Sequence, residues 1–218
     1  MATSIAIIGG SGPEGRGLGL RFAMAGYSII IGSRDAGRAA EAAEGLLEIK
    51  PGLAITGAAN DDAARDADWT LLSVPFDGLA ATAKGLAPHL AGKIVTSVVA
   101  PLAFEGGVAK AVLVPEGSAA ELVAGLLPDS RVTSAFHNLS ARDLLKPDLD
   151  LEGDVVVCGE DDDARSQTIA LAESIKSLRG VDGGGLVNSR YVEELTALLL
   201  NVNRRYKAHS TIKFVGLG

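Results

Sequence analysis

The stretch IAIIGGSGPEG, residues 5–15, decides the fold class of this chain. Four apolar residues run into glycines in the spacing G-x-G-x-x-G, and a helical pattern follows. The first glycine permits a tight turn, the second lets a ligand approach the backbone, and the third lets helix and sheet pack closely. A pyrophosphate here would face the positive end of the helix. Glycine-rich turns can also be purely structural, but the flanking strand and helix favour a dinucleotide site at Gly10, Gly12 and Gly15.

The rest of the chain alternates short β-branched runs with longer Ala- and Leu-rich stretches of helical period. Strands are predicted at residues 4–8, 28–31, 53–56, 69–74, 93–98, 131–135 and 154–158. Helices are predicted at residues 16–25, 36–50, 162–178 and 189–206. The strands are nearly continuous apolar runs, so we expect helices on both faces of a parallel sheet. The predicted fold class is α/β: a Rossmann-like doubly wound parallel sheet, residues 1–146, with a small α/β C-terminal domain, residues 147–218.

Composition and charge narrow the class of protein. The chain has 218 residues and a formal net charge of −7, which argues against a general affinity for nucleic acid or anionic membranes. Its single cysteine, Cys158, excludes an internal disulfide and a Cys-rich metal site. No stretch has the ~18 to 20 apolar residues of a membrane span, and the N-terminus does not resemble a signal peptide. We therefore expect a cytoplasmic protein without a metal site.

The residues after the second strand, SRDAGR at positions 33–38, choose between two nucleotide cofactors. An Asp or Glu at the end of this strand would bind both ribose hydroxyls and repel a 2′-phosphate. Here Ser33 offers a hydroxyl, Arg34 offers a planar guanidinium, and Arg38 lies one helical turn further. The pattern predicts NADP(H) rather than NAD, with Asp35 as the helix N-cap. The alternative is that both arginines only solvate the start of the helix.

Two predicted strands end with a proline, in Val74-Pro75 and Ala100-Pro101. Each proline removes an amide donor and stiffens the turn, which would leave carbonyls and small apolar groups to line a flat slot for a planar ring. His137 follows the strand at 131–135 and is a candidate to polarise or position a ring, or to act as an acid or base. Two alternatives stay open: the prolines merely begin loops, and the histidine is structural.

Two further titratable residues have simpler interpretations. Glu14 lies inside the glycine loop, where a carboxylate would repel a pyrophosphate, so we expect it to point to solvent or to pair with Arg16. His209, near the C-terminus, is interpreted as a surface residue without a role.

Longer segments resemble a known family, the F420-dependent NADP reductases. The resemblance is carried, in order and spacing, by residues 5–39, the strand ends SVPF and VVAP, and the segments RVTSAFHNLSA, VVVCGEDDDAR, LVNSRYVEELTALLLNV and IKF. It spans nearly the whole chain. It implies an NADP-binding Rossmann domain and a small C-terminal domain that completes a deazaflavin site. It also implies hydride transfer between C4 of the nicotinamide and C5 of the deazaflavin ring of coenzyme F420.

The resemblance also implies roles for individual positions. The phosphate loop would be Gly10, Ser11, Gly12 and Gly15, and the 2′-phosphate site Ser33, Arg34 and Arg38. The stacked rings would lie in a slot of Val74, Pro75, Ala100 and Pro101, with His137 and Leu139 beside the deazaflavin. Family members pair through the C-terminal region, so a homodimer is expected. The loop predicted at residues 102–113 does not identify itself as the site of the anionic F420 tail, since it holds a single basic residue, Lys110. The cluster of Arg204, Arg205 and Lys207 is most simply the solvated end of the last helix, with an anionic-tail site as the alternative.

Three functions are compatible with these residues. The leading hypothesis is an oxidoreductase that moves a hydride between NADP(H) and F420, with small-molecule cofactors as its partners. The second is an NADPH-dependent reductase of another small acceptor, such as a flavin, a pterin, an imine or a ferric chelate. The third is a module that binds NADP as a sensor without turning it over.

Overall fold

The structure is a computed structural model that describes residues 3–217. The strands are β1 (Ser4–Ile8), β2 (Ser28–Ser33), β3 (Ile55–Ala59), β4 (Trp69–Leu72), β5 (Ile94–Ser97), β6 (Leu102–Glu105), β7 (Val108–Ala111), β8 (Arg131–Ser134), β9 (Gly153–Gly159) and β10 (Leu178–Asp182). The helices are α1 (Pro13–Met24), α2 (Ala36–Ile49), α3 (Asn60–Asp66), α4 (Phe76–Leu90), α5 (Ala119–Leu126), α6 (Ala141–Leu144), α7 (Asp162–Glu173) and α8 (Ser189–Tyr206).

Eight strands form one sheet in the order β10-β9-β8-β5-β4-β1-β2-β3. Its paired neighbours are parallel except β8 and β9, which are antiparallel. The run β3-β2-β1-β4-β5 is the strand order of a dinucleotide-binding fold, and the order reverses between β1 and β4. A ligand is expected in the crevice beyond the carboxyl ends of these two strands. The predicted fold class is confirmed.

Alternate residues of β1 enter two different cores. Ile5 and Ile7 pack in a cluster with side chains of α1, α2 and α7. Ala6 and Ile8 pack in a second cluster with side chains of α3, α4 and α5. A strand buried on both faces must be apolar at every position, which is why its sequence shows no alternation.

Two expectations about secondary structure were wrong. The helix predicted at 162–178 ends at Glu173, and Leu178 begins β10, because Ser177 adopts a left-handed backbone (φ 67°) that no helix can continue through. The segment 102–113, which had been expected to be a loop, contains the antiparallel hairpin β6–β7. Its turn uses Gly106 and Gly107, both with positive φ, as two-residue hairpin turns require.

The C-terminal segment joins the same sheet. β9 pairs with β8 through Ser134 and Cys158, and β10 pairs with β9. The last helix, α8, has the predicted bounds and contacts the hairpin through Asn201, whose side chain bonds both backbone groups of Ala109. The division of the chain at residue 146 stays a prediction.

Candidate active site

The glycine loop follows β1 and turns directly into α1. The Gly10 amide donates to the carbonyls of Ile7 and Gly32, each at 3.0 Å, which fixes the loop between two strands. A Cβ on Gly15 would lie 2.6 Å from the Gly10 Cα, so helix and loop touch through these two glycines. Gly10 and Gly15 therefore allow the loop to pack closely against the strands and α1, as the sequence pattern predicts.

Gly12 differs because nothing in the protein crowds it. A Cβ there would meet only the Gly9 carbonyl oxygen, at an ordinary 3.5 Å, and the position opens into a cavity of about 900 Å³. Gly12 also begins α1 without a side-chain cap, and Pro13 takes the first helical position. The first-turn amides of α1 therefore have no capping partner and are available to an anion. We name this space the first cavity; Ser11 and Gly12 both line it.

The predicted 2′-phosphate residues lie together at one end of the first cavity. Ser33 is the last residue of β2 and is buried, whereas Arg34 and Arg38 are exposed. All three line the cavity. Asp35 caps α2 by accepting a hydrogen bond from the Arg38 amide at 2.9 Å, as predicted. Among the ion pairs of residues 3–217, none involves Arg34 or Arg38, so both guanidinium groups are free to bind an anion.

Asn60 was missed by sequence reasoning. It is the first residue of α3 and lines the same cavity. Its Oδ1 is buried, has no hydrogen-bond partner in the part of the chain the structure describes, and lies 3.0 Å from where a Gly32 Cβ would be. A buried acceptor without a donor is costly unless a ligand satisfies it. The available signal was a polar residue directly after a strand that ends at the crevice.

Three of the four residues predicted to form the ring slot line a cavity. Val74, Pro75 and Ala100 line the first cavity, beyond β4 and β5. Pro101 lines neither cavity described here; it is buried, and its carbonyl accepts the Val112 amide at 3.0 Å, which anchors the hairpin.

A second cavity of about 730 Å³ adjoins the first. Its walls come from the segment after β8, from α8 and from the chain that follows α8. The two cavities share three lining residues, Glu14, Val98 and Ala100. Two ring systems, one in each cavity, would therefore meet at these residues.

His137 and Leu139 both line the second cavity. Phe136, directly before the histidine, is buried with a positive φ of 74°, a conformation that non-glycine residues rarely adopt and that turns the chain after β8. The Thr196 hydroxyl donates to the His137 carbonyl at 3.0 Å. The Nε2 atom of His137 is buried without a partner in the described chain, and burial lowers the pKa of the imidazole from 6.5 to about 4. The ring is therefore neutral at pH 7.

Cationic side chains of the second cavity come from two distant parts of the chain. Arg142, from α6, and Lys207, after α8, both line it. His209 also lines it and pairs with Asp143 at 2.7 Å; its side chain is 37% exposed, as expected of a surface residue. These residues are about 65 positions apart in the chain, and only the tertiary fold brings them together.

Glu14 contradicts its expected placement. Its Oε1 is buried and, within residues 3–217, has no hydrogen-bond partner, and no ion pair joins Glu14 to Arg16. Burial raises the pKa of the carboxyl from 4.5 to about 8, so the group is protonated at neutral pH. A protonated carboxyl does not repel a nearby phosphate, so Glu14 in this form is compatible with a pyrophosphate at the glycine loop.

Comparisons with known proteins identify the family. The model of the family described as "NADP oxidoreductase coenzyme F420-dependent" matches residues 4–101. The F420-dependent NADP reductase of Methanocaldococcus jannaschii is 41% identical over 213 residues, covering 95% of each chain. The protein of the same name from Methanothermobacter thermautotrophicus is 38% identical over 96% of this chain and 93% of that protein. The chain belongs to the F420-dependent NADP reductase family.

A solved structure agrees with this fold. An Arthrobacter sp. FB24 protein superposes with a TM-score of 0.84 and 23% identity, covering 98% of this chain and all of that one. The family resemblance drawn from the sequence is therefore confirmed, and the chain is an NADP-dependent oxidoreductase by family. Among the described residues, no helix is both long and apolar enough to cross a membrane. Nor do His, Cys, Asp and Glu side chains of residues 3–217 gather in threes or more around a metal-sized site.

Proposed function

We propose that this chain moves a hydride between NADP(H) in the first cavity and coenzyme F420 in the second. The observation that carries the proposal is the junction of two cavities at Val98, Ala100 and Glu14. Bound together, the two cofactors supply the redox chemistry, a hydride exchanged between nicotinamide C4 and deazaflavin C5. The protein contributes position: direct transfer needs two rings held face to face at near-attack distance.

The first cavity fits NADP at three points. The uncapped start of α1 offers amides to the pyrophosphate, at a loop where Gly12 leaves room for it. Arg34 and Arg38 offer two cations to a 2′-phosphate, beside the Ser33 hydroxyl. Asn60 offers a buried acceptor for a hydroxyl or amine of the nucleoside.

The second cavity fits a planar ring with an anionic tail. Leu139, Leu199 and Leu200 give it apolar walls, and the neutral His137 can exchange a hydrogen bond with a polar edge of the ring. Arg142 and Lys207 provide the positive charge that an anionic tail needs. These two cations support the proposal that the anionic tail binds in this cavity.

The proposal is tested by mixing the purified protein with NADPH and oxidised F420 and following the deazaflavin absorbance band. Rapid bleaching is expected. NADPH binding without bleaching would contradict the F420 assignment. Turnover with a flavin, pterin, imine or ferric chelate would then identify the second hypothesis, and no turnover at all would favour an NADP sensor.

The proposal includes a cytoplasmic homodimer. The apolar residues of α8 divide between two faces: Leu199 is buried, whereas Leu198 is 58% exposed and Tyr191 is 64% exposed one heptad earlier. Exposed apolar residues seven positions apart lie on one helix face, which a second copy of the chain could cover.

A further inference from the structure

Glu14 is a half-buried titratable residue for which the proposed function has no use, and its Oε1 atom is fully buried. It is the second residue of α1, so its position on the helix follows from the glycine loop. Its side chain lies where the two cavities meet, next to Val98 and Ala100 in the lining of both. Its Oε1 has no partner within residues 3–217. A carboxyl with one oxygen buried and unpartnered, in the lining that two ligand cavities share, is placed to exchange a hydrogen bond or a proton with the ligand.

We propose that Glu14 is the proton donor that accompanies hydride transfer, protonated beside NADPH and ionised beside NADP⁺. This inference rests on the proposed function. When NADPH is oxidised, its C4–H bond breaks with both electrons and a C–H bond forms at C5 of the acceptor ring. The Glu14 O–H bond breaks in the same turnover, and its proton goes to a ring nitrogen conjugated with that carbon. The carboxylate regains a proton from solvent after NADP⁺ leaves.

Charge balance explains why this position suits a carboxyl. Oxidation turns a neutral nicotinamide into a cation, and the proton donor becomes an anion beside it. An opposite charge at close range stabilises the ionised carboxylate and lowers its pKa by about 1 to 3. Glu14 can thus give up its proton when the nicotinamide becomes positive, and hold it otherwise.

His137 cannot supply this proton. It is the other buried titratable group in the second cavity, but its pKa near 4 leaves it neutral at pH 7, without a proton to give readily. The pKa of Glu14 near 8 places its carboxyl in the protonated form at the same pH. A donor with a pKa near the working pH is the most effective.

Burial, and not the charged groups around it, is the dominant influence on the pKa of Glu14. Those lining the first cavity are Arg34, Asp35 and Arg38. Those lining the second are Arg142, Lys207 and His209, with the neutral His137. Arg16, on the same helix, extends toward α2, where its Nη2 lies 3.3 Å from where a Gly45 Cβ would be. Desolvation is the cause of the raised pKa, so a cation arriving beside the carboxyl would have a large effect on it.

The test compares proton release when NADP⁺ and NADPH bind, measured by titration calorimetry at pH 7 in buffers of different ionisation enthalpy. Both forms carry the same pyrophosphate beside the start of α1 and the same 2′-phosphate, so the difference between them reports on the ring. With a pKa lowered by 1 to 3 from about 8, wild-type protein should release about 0.4 to 0.9 proton more with NADP⁺ than with NADPH. Glu14→Gln, which keeps the shape of the protonated side chain, should show no difference. Glu48→Gln, at an exposed position of α2, should behave as wild type.

A kinetic measurement separates the inference from the proposed function. Wild-type F420 reduction by NADPH should slow as the pH rises above about 8, where Glu14 loses its proton. Glu14→Gln should be ~100- to 10,000-fold slower at pH 7 and lack this pH dependence. If wild-type protein releases the same number of protons with both nucleotides, or if Glu14→Gln behaves as wild type, the role of Glu14 is overturned. The proposed function is not affected by either result. If wild-type protein fails to reduce F420, the proposed function fails, and if it fails to bind NADP⁺, both fail.

Discussion

At the scale of single residues, cofactor choice depends on the end of β2. Ser33, Arg34 and Arg38 face the first cavity, and no acidic side chain takes the position that would bind both ribose hydroxyls. Asp35 is occupied as the cap of α2, where it accepts the Arg38 amide. Its negative charge therefore supports the helix and holds Arg38 at the cavity edge.

Arg34→Glu tests this site. The substitution removes a charge-assisted bond to the 2′-phosphate and adds a repulsive charge, so we expect NADPH affinity to fall by about 100-fold while some NADH binding is gained. Fluorescence titration with both nucleotides measures this. Arg205→Glu, at an exposed position outside both cavities, is the control. Unchanged NADPH affinity in Arg34→Glu would remove this residue from the site.

The stability of the protein should depend on pH through Glu14. The folded pKa, about 8, exceeds the ordinary 4.5, so between these values the folded state holds a proton that the unfolded chain releases. This contribution to stability is complete below about pH 4.5 and is lost as the pH rises toward 8. Glu14→Gln should therefore be more stable than wild type at pH 8, by on the order of 3 kcal/mol, and differ little at pH 4.5.

Urea denaturation of both proteins at the two pH values checks this expectation, with Glu48→Gln as the matched control. A constant difference between wild type and Glu14→Gln across this range would mean that the carboxyl titrates normally, and the burial argument would be wrong.

The sequence predicted the parts of the site that depend on local pattern. Gly12 and Ser33 are identified because each lies at a fixed distance from a strand end. Glu14 was expected at the surface because its burial depends on walls that include α8, about 180 residues further along the chain. Arg142 was missed for the same reason, since it carries no local signal. Lys207 belongs to the cationic cluster for which an anionic-tail site was the alternative interpretation, and the fold brings it to the same cavity as Arg142.

At the scale of elements, Arg21 connects α1 to α6 and the residues that follow it. It is buried, its Nε donates to the Leu144 carbonyl at 2.8 Å, and its Nη2 donates to the Asp143 and Leu149 carbonyls at 3.0 and 2.9 Å. A Cβ on Gly17 would lie 2.6 Å from the Leu144 Cβ, so α1 and α6 are in close contact. One side chain thus holds the segment at the predicted domain boundary.

Arg21→Met should lower the free energy of unfolding by about 3 kcal/mol, because it leaves several buried carbonyls without a donor. Chemical denaturation measures the loss, and Arg205→Met at an exposed position of α8 provides the baseline. A loss no larger than that of the control would show that the carbonyls find other partners.

Elements were predicted well where periodicity and end signals agree. β1, β2 and α8 lie where their patterns place them. The end of α7 was misplaced because its apolar spacing continues past Ser177, and the backbone reversal there has no glycine or proline to mark it. The hairpin was missed although Gly106-Gly107 is a turn signal, since its strands are only four residues long and mostly exposed.

At the scale of the whole molecule, α8 presents one face to the second cavity and another to solvent. Thr196, Leu199 and Asn203 line the second cavity. Tyr191 and Leu198 lie on the exposed face proposed to contact a second copy. In a dimer formed through this exposed face, the second copy would pack on the side of α8 that points away from the second cavity.

Leu198→Lys should shift the protein from dimer to monomer, because it places a charge in the centre of the proposed contact. Size-exclusion chromatography with light scattering measures the mass of the particle. Ile49→Lys, at a comparable exposed position at the end of α2, should leave the mass unchanged. A monomeric wild type, or a dimeric Leu198→Lys, would exclude this interface.

The central claim is that the two cavities hold two rings in direct contact, so that a hydride passes between them without exchange with water. It is tested by oxidising NADPH that carries deuterium at C4 with F420 in ordinary water and analysing the reduced deazaflavin by mass spectrometry. We predict that deuterium labelling on the transferred side of C4 appears at C5 of the product, one atom per turnover. If C5 of reduced F420 carries only hydrogen from the solvent, whichever side of C4 bears the deuterium, the account is contradicted.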